Sequence, residues 1–483
     1  MLLYNDLRDW LAQVNKMGEL KEVHGADWNL EIGVITDMVA KNSRNNWATL
    51  FDKIKGYPAG YRVLTGQLNS PRRLALTVGL DPKFGDREFV AAWRERLKTL
   101  KPIPPEEVTQ GPIMENVQTG DEVNLLKFPV PQWHEMDGGR YIGTGSATIS
   151  RDPDNGSINL GTYRVMVHDE KKCAHYAAQG KHGRIHRDKY FSRNERCPVA
   201  VVVGEDPLLY LASILAIPHA QDGFRNEYDW IGGVRGEPYK VIRGKVTGLP
   251  IPAQAEIVLE GFSYPNSDSY LGEGPFGEWP GYYASRQRSE PVMKVEAVYH
   301  RNNPIISGAV PSVMPSDFTH PYELIRSAQL WNELEAAGLT DINGVTCYQH
   351  RFITVVSIRQ RYGGHAKRAA MLAMHCNAGA FFGRYVIVVD DDIDIYDFNQ
   401  VVWALATRVD PAKDIEIVKN CWESLLDPII PAGERKKAFQ SRAIIDATKP
   451  YDWITEFPPS ISYKSELKVH VQQKWREQGL FDI

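Results

Sequence analysis

Two glutamates stand five residues apart in Glu273-Gly274-Pro275-Phe276-Gly277-Glu278-Trp279. Proline stiffens this stretch, while glycine lets backbone approach a ligand or adopt positive φ. Neighbouring carboxyls can divide labour, because the charge of one raises the pKa of the other. One can then keep a proton at neutral pH while its neighbour stays ionised. The plain alternative is a glycine-rich surface turn with two solvated glutamates. A second signal lies in Asn159-Leu160-Gly161-Thr162-Tyr163-Arg164. The guanidinium of Arg164 has a planar fork that suits a carboxylate, either that of a substrate or one of the two glutamates. On a regular strand Asn159 and Arg164 have opposite parity and face opposite sides. Bringing both to one site requires a bulge or sharp twist at Gly161.

His182 lies in Gly180-Lys181-His182-Gly183-Arg184-Ile185-His186-Arg187, a glycine- and cation-rich segment suited to a phosphate. Asn159, His182 and Glu227 together offer oxygen and nitrogen donors that a hard cation such as Mg2+ or Mn2+ accepts. Their wide spacing leaves a solvated basic loop as the alternative. Gly363-Gly364-His365-Ala366-Lys367 sits between a strand and a helix, where amides and a lysine can meet an anion. Asp390-Asp391-Asp392, at the end of a strand, could bind a metal or simply lead into a helix N-terminus.

Several elements must position these groups. Asn5 is expected to cap a helix carrying Leu7, Trp10, Leu11, Val14 and Met17, ended by Gly18. A second helix carries Phe89, Trp93, Leu97 and Leu100, and Pro102, Pro104, Pro105 and Pro112 then mark a linker. The middle of the chain reads as β-rich. Segments 144–150 and 157–168 flank the turn Asp152-Pro153-Asp154-Asn155-Gly156, which predicts a hairpin. The last third alternates strands at 352–358 and 385–389 with helices near 365–376 and 398–405, which predicts a right-handed parallel βαβ unit. Leu467, Val471 and Trp475 line one stripe of a terminal helix that suits packing on a second subunit.

Apolar residues make up 43% of the 483 residues and charged residues 24%, which fits a folded chain of about three domains. The net charge of -4 excludes a global basic field for nucleic acid or an anionic membrane. No apolar run is long enough to span a bilayer, and the start shows no secretory pattern. Five scattered cysteines without a CxxC pair suit reduced thiols, so a cytoplasmic location is expected.

Taken in order, NDLRDWLAQVNKMGELKEV, NLGTYR, the basic segment with His182, Asn226-Glu227, EIVLEG, EGPFGEWPGYY, GGHAKR and VIVVDDDIDIYDFNQVVWALATR resemble the UbiD family of decarboxylases. The resemblance runs from about residue 4 to about residue 448. It implies a mixed α/β and β fold: an N-terminal α/β domain (1–115), a central split β-barrel that binds flavin (116–315), and a C-terminal α/β domain with an oligomerisation helix (316–483). It further implies prenylated FMN, supplied by a flavin prenyltransferase of the UbiX type, with Mn2+ or Mg2+ at the flavin phosphate and K+ nearby. By motif position Asn159, His182 and Glu227 are the expected metal set. Thr162, Tyr163, Arg164, Gln179 and Lys367 are the expected further cofactor contacts, and Ser213 is similar to a K+-lining position. The implied catalytic trio is Arg164, Glu273 and Glu278, with Glu278 giving the proton that replaces CO2.

The expected activity is therefore reversible decarboxylation of an aromatic, heteroaromatic or α,β-unsaturated acid by a homodimer or larger homo-oligomer, with the cofactor as electron sink. Two other readings stay open. One is a two-carboxylate glycoside hydrolase, which leaves Arg164 between the carboxyls unexplained. The other is a flavin-binding or assembly subunit without turnover of its own. His320, in Ser316-Asp317-Phe318-Thr319-His320-Pro321, is a candidate substrate-facing group that suits a phenolic hydroxyl, or else a loop histidine near a helix start.

Overall fold

The computed structural model describes residues 2–42, 46–215, 217, 223–283, 286–431, 438–461, 463–476 and 478. The first helix is Leu7–Lys16, and its N-cap is Asp6 rather than Asn5. The Asp6 carboxylate accepts the Asp9 N–H at 2.9 Å, while Asn5 donates to the Asp9 side chain. The helix buries Leu7, Trp10, Leu11 and Val14 against a four-stranded sheet ordered Leu20–His24, Ala48–Asp52, Arg62–Thr65 and Ile305–Gly308. The last of these strands comes from more than 200 residues further along the chain, and it locks the N-terminal unit to the middle one.

The central sheet has ten strands. Its path runs Arg140–Gly143, Arg164–Val167, Lys172–Tyr176, Arg288–His300, Ile257–Ser263, Cys197–Val203, Ser146–Arg151 and Ile158–Gly161, with Asn116–Thr119 and Tyr270–Glu273 also paired to Arg288–His300. Alternation explains the apolar run Cys197–Val203. Val199, Val201 and Val203 enter one core, while Ala200 and Val202 enter another, so the strand is buried on both faces.

Curvature follows from connectivity. Ile158–Gly161 is one edge of the sheet path, and Arg164–Val167 lies second from the other edge. Only Thr162 and Tyr163 join them. Three peptide steps reach at most about 11 Å, so the two ends of the sheet must curl together. A second link, Thr144-Gly145 between Arg140–Gly143 and Ser146–Arg151, crosses the same gap. The result is a split barrel with a two-residue seam.

The C-terminal sheet is ordered Ile342–Tyr348, Ile353–Ile358, Tyr385–Asp390, Phe439–Ala447 and Ile415–Trp422, with the three inner strands parallel. Helices His365–His375 and Phe398–Arg408 form the crossovers, as the alternation predicts. The helix Ser465–Arg476 buries none of its residues, leaving Leu467, Val471 and Trp475 in solvent. No described helix is long and apolar enough to cross a membrane, and all five cysteines are free thiols.

Candidate active site

The seam places Arg164 on the first residue of its strand, directly across from Tyr176. Glu273 ends the strand Tyr270–Glu273 and is the register partner of Arg288. From there the loop to Glu278 turns over the barrel end. Gly274 takes φ +84°, a conformation glycine adopts without strain. Gly138 lies so close that a Cβ there would sit 2.1 Å from the Gly274 carbonyl oxygen, and its N–H donates to Pro275 O at 2.8 Å. Asp137 holds the loop from below, accepting from Gly277 N–H at 3.4 Å and the Tyr283 hydroxyl at 3.2 Å.

These supports bring the three expected catalytic residues together. Arg164 Nε and Nη2 donate to the two oxygens of Glu273 at 2.6 and 2.8 Å, a bidentate pair. Its Nη1 donates to Glu278. Glu273, Arg164 and Glu278 are 0%, 7% and 8% exposed. The Tyr141 hydroxyl adds a hydrogen bond to Glu273 at 3.2 Å, and the Arg164 guanidinium lies 4.6 Å from the Tyr176 ring centre. Arg288 stacks on the same ring at 4.0 Å and extends its positive charge towards Glu278.

Electrostatics separate the members of the trio. Burial pushes the Glu278 carboxyl above its ordinary range; the Arg164 charge pulls against this without cancelling it. Burial also opposes the charge on Arg164, but Glu278 and Glu273 outweigh it and keep the guanidinium charged. The array therefore holds a fixed cation, a carboxylate bound to it on both oxygens, and a second carboxyl with raised proton affinity.

A second cluster forms across the seam. Glu227, the first residue of helix Glu227–Arg235, accepts the Leu160 N–H at 2.9 Å, beside Asn159. Asn159 is buried, and its amide nitrogen has no hydrogen-bond partner among the described residues. His182 opens helix His182–Ser192; the next residue, Gly183, donates its N–H to the Tyr163 hydroxyl at 3.0 Å, and Asn159 interacts with that same hydroxyl. His182 and Glu227 both lie within electrostatic reach of His186. Thr162 is tied to Ser213 through an Oγ1–Oγ contact of 2.6 Å and an N–H···O bond of 3.1 Å. The side-chain oxygen of Asn159, the Glu227 carboxylate and the His182 imidazole are donor types that suit a hard divalent cation, and the buried Asn159 N–H suits a phosphate oxygen beside it.

Of the remaining expected positions, Lys367 and the aspartate run at 390–392 lie on the C-terminal unit, while Gln179 stands three residues before His182. Gln179 is an exposed turn residue. The structure does not bring Lys367 to this cluster: it is exposed on the C-terminal unit and paired with Glu416. Asp390 and Asp392 are held by Arg408 at 3.0 and 2.9 Å, with Lys449 on Asp392 at 2.7 Å, so an ion-pair network occupies the aspartate run. Burial, then the nearby Arg73, pushes half-buried His320 down to about 4, leaving it neutral. Tyr141, Asp137, Tyr176 and Arg288 belong to the site without any motif that points to them. Only the glycine pair Gly138-Gly139 beside Tyr141 hints at a close backbone approach there.

Comparison with known proteins identifies the family. Three family models match in sequence: the UbiD N-terminal domain at residues 11–93, the Rift-related domain of 3-octaprenyl-4-hydroxybenzoate carboxy-lyase at 106–314, and its C-terminal domain at 320–447. A pyrrole-2-carboxylic acid decarboxylase of Pseudomonas aeruginosa is 30% identical over 99% of each chain. A phenolic acid decarboxylase of Sedimentibacter hydroxybenzoicus is 31% identical over 93% of this chain and 92% of its own. Among solved structures, the vanillic acid decarboxylase of that organism in an open form has TM-score 0.84 at 29% identity, covering 99% of both chains. A UbiD-class enzyme of Pelotomaculum thermopropionicum in complex with prenylated FMN has TM-score 0.79 at 27% identity, covering 96% of this chain and 98% of its own. With all three domain models matched in order around a buried Glu-Arg-Glu array, the chain belongs to the UbiD family of carboxy-lyases.

Proposed function

We propose that this enzyme catalyses reversible decarboxylation of an aromatic, heteroaromatic or α,β-unsaturated acid, with Glu278 as the proton donor. The observation that carries the reading is the buried array in which Arg164 is chelated by Glu273 while burial raises the proton affinity of Glu278. Arg164 and Glu273 form the rigid part, and they orient the substrate carboxylate. The bond from ring or alkene carbon to that carboxylate breaks, and CO2 leaves without the electron pair. Glu278, charged with a proton by its raised affinity, then closes the carbon with a new C–H bond and is reprotonated from solvent. Burial of the trio keeps competing water away from this step.

Prenylated FMN, when bound, supplies the electron sink that makes loss of CO2 accessible. Asn159, His182 and Glu227 would hold Mn2+ or Mg2+ against its phosphate, and Thr162 and Tyr163 would line the flavin. A relative of the same fold carries this cofactor. A flavin prenyltransferase of the UbiX type would supply it. The exposed stripe of Leu467, Val471 and Trp475 supports a homo-oligomer, and the free thiols support a cytoplasmic setting.

The test is to produce the chain with and without a flavin prenyltransferase and to assay a panel of aromatic and acrylic acids, detecting CO2 and product together. Turnover should require the prenyltransferase and fall by about 100-fold or more in Glu278→Gln. Its rate should decline as pH rises through the elevated Glu278 pKa, a limb absent from the variant. Full turnover in Glu278→Gln would refute the proton-donor role, and failure to bind any flavin would refute the cofactor.

A further inference from the structure

Behind Trp279, the residue after Glu278, lies a strained and positively charged corner with no role in the reaction as described. Gln349, His350 and Arg351 have φ of +55°, +62° and +118°, three consecutive non-glycine residues in a region side chains disfavour. Such backbone outliers are disfavoured and cluster at ligand clamps. The strain holds Arg351 inward, 8% exposed. Its guanidinium meets aromatic rings, with centres 4.7 Å away at Tyr322, 5.2 Å at Phe382 and 5.9 Å at Trp279. Arg351 forms no carboxylate ion pair among the described residues, and its Nε is buried without a hydrogen-bond partner there. Glu423 feels the charge only from further away.

The neighbours add charge of the same sign. Arg326 is 4% exposed, bonds Gln329 at 3.0 Å, and also leaves a buried Nε without a partner. Lys181, within the segment expected to suit a phosphate, feels the charge of both arginines. Burial and then Arg326 push Arg351 down to about 10. Two buried guanidiniums with no carboxylate at ion-pair distance among the described residues, Glu333 and Glu423 acting only from further away, are costly unless an anion joins them.

The geometry points to an oxyanion subsite built by Arg351 and Arg326, separate from the Arg164 carboxylate site and facing it across Trp279. Resting on the decarboxylase reading above, its ligand is either the flavin phosphate or a second acidic group on the substrate, such as a ring carboxylate or an ionised phenol. In both cases the aromatic cage keeps the guanidinium dry, which strengthens a charge-assisted bond to oxygen.

Two ligand pairs separate the sources. FMN and riboflavin differ by the phosphate, while terephthalate and benzoate differ by one carboxylate. Each is titrated calorimetrically into the cofactor-free full chain. In the wild type at least one pair should show a gap of about tenfold or more in Kd. Arg351→Met should close that gap, and Arg351→Lys should retain most of it. Closure of the FMN–riboflavin gap assigns the subsite to the cofactor phosphate; closure of the terephthalate–benzoate gap assigns it to the substrate. Arg326→Met carries the same comparison should Arg351→Met not fold. Absence of a gap in the wild type, or gaps unchanged in the folded variants, would overturn the subsite. A wild type that binds neither flavin would overturn the cofactor reading alone, with the acid pair still deciding this one.

Discussion

Replacing Arg164 by methionine tests the electrostatic logic of the site through stability, independently of turnover. Methionine keeps much of the length of the side chain but removes all three donors that hold Glu273 and Glu278. Glu273 is then left fully buried with the Tyr141 hydroxyl at 3.2 Å as its side-chain partner. Breaking a buried ion pair by removing one partner costs about 3–5 kcal/mol, because a charge stays behind uncompensated. At roughly 2–4 °C per kcal/mol for a domain of this size, melting should fall by roughly 6–20 °C near neutral pH. The deficit should depend on pH with a definite sign. In the variant Glu278 loses its cation, so its folded-state pKa, already raised by burial, rises further above that of the unfolded chain. The folded variant then binds more protons than the unfolded one, and its stability falls as pH rises. Melting curves at about pH 5 and about pH 8 should therefore show a smaller deficit on the acid side, by about 1.4 kcal/mol for every tenfold gain in proton affinity on folding. Adding Glu278→Gln removes one stranded charge and should recover part of the loss. A deficit below about 1 kcal/mol, or one of equal size at both pH values, would refute the view of Arg164 as the counter-charge of two buried carboxyls.

Two further outcomes follow from the packing. Gly161→Ala would set a Cβ 2.5 Å from the Tyr163 hydroxyl, so the ring that links the seam to Gly183 must shift; melting should show a loss of about 1–3 kcal/mol, and an unchanged melt would show that the seam has slack. His350, fully buried and pushed down to about 3 by burial and then by Arg351 and His320, should make the fold acid-labile. The unfolded chain takes up its proton near 6.5, so this contribution is complete above that value and is lost as pH falls towards 3. His350→Asn, which tolerates positive φ, should flatten the pH dependence of melting over that window, and identical slopes would refute the assignment.

Local chemistry makes much of this fold legible in the sequence. The parallel βαβ unit and the two amphipathic helices carry their periodicity within short windows, and the structure has them where the periodicity puts them. The first cap is one residue from its expected place because Asn5 and Asp6 are both good caps, and the choice rests on which side chain reaches the Asp9 amide. Lys367 resembles an anion contact because its immediate setting, a glycine pair before a helix, is right for one; its partner Glu416 is 49 residues away and sends no local signal. Tyr141, Tyr176 and Arg288 enter the site through strand pairing and side-chain stacking, which no motif encodes.

The parity conflict between Asn159 and Arg164 shows why the remainder is hidden, and it also explains where the site lies. Read as one strand, the segment requires a bulge. The chain instead ends one strand at Gly161 and starts another at Arg164, on opposite flanks of a curled sheet. Parity applies within a strand, so it imposes nothing across this break. The break exists only because eight other strands curl the two flanks together, a condition set by residues far away in sequence. Once it exists, the two residues that bridge the gap fix the distance between two chemistries. Asn159 precedes Leu160, whose N–H meets Glu227, while Arg164 faces the strand that ends in Glu273. A motif of six residues can thus serve both the proposed cofactor-phosphate cluster and the Glu-Arg-Glu array, because the seam that closes the barrel runs between them.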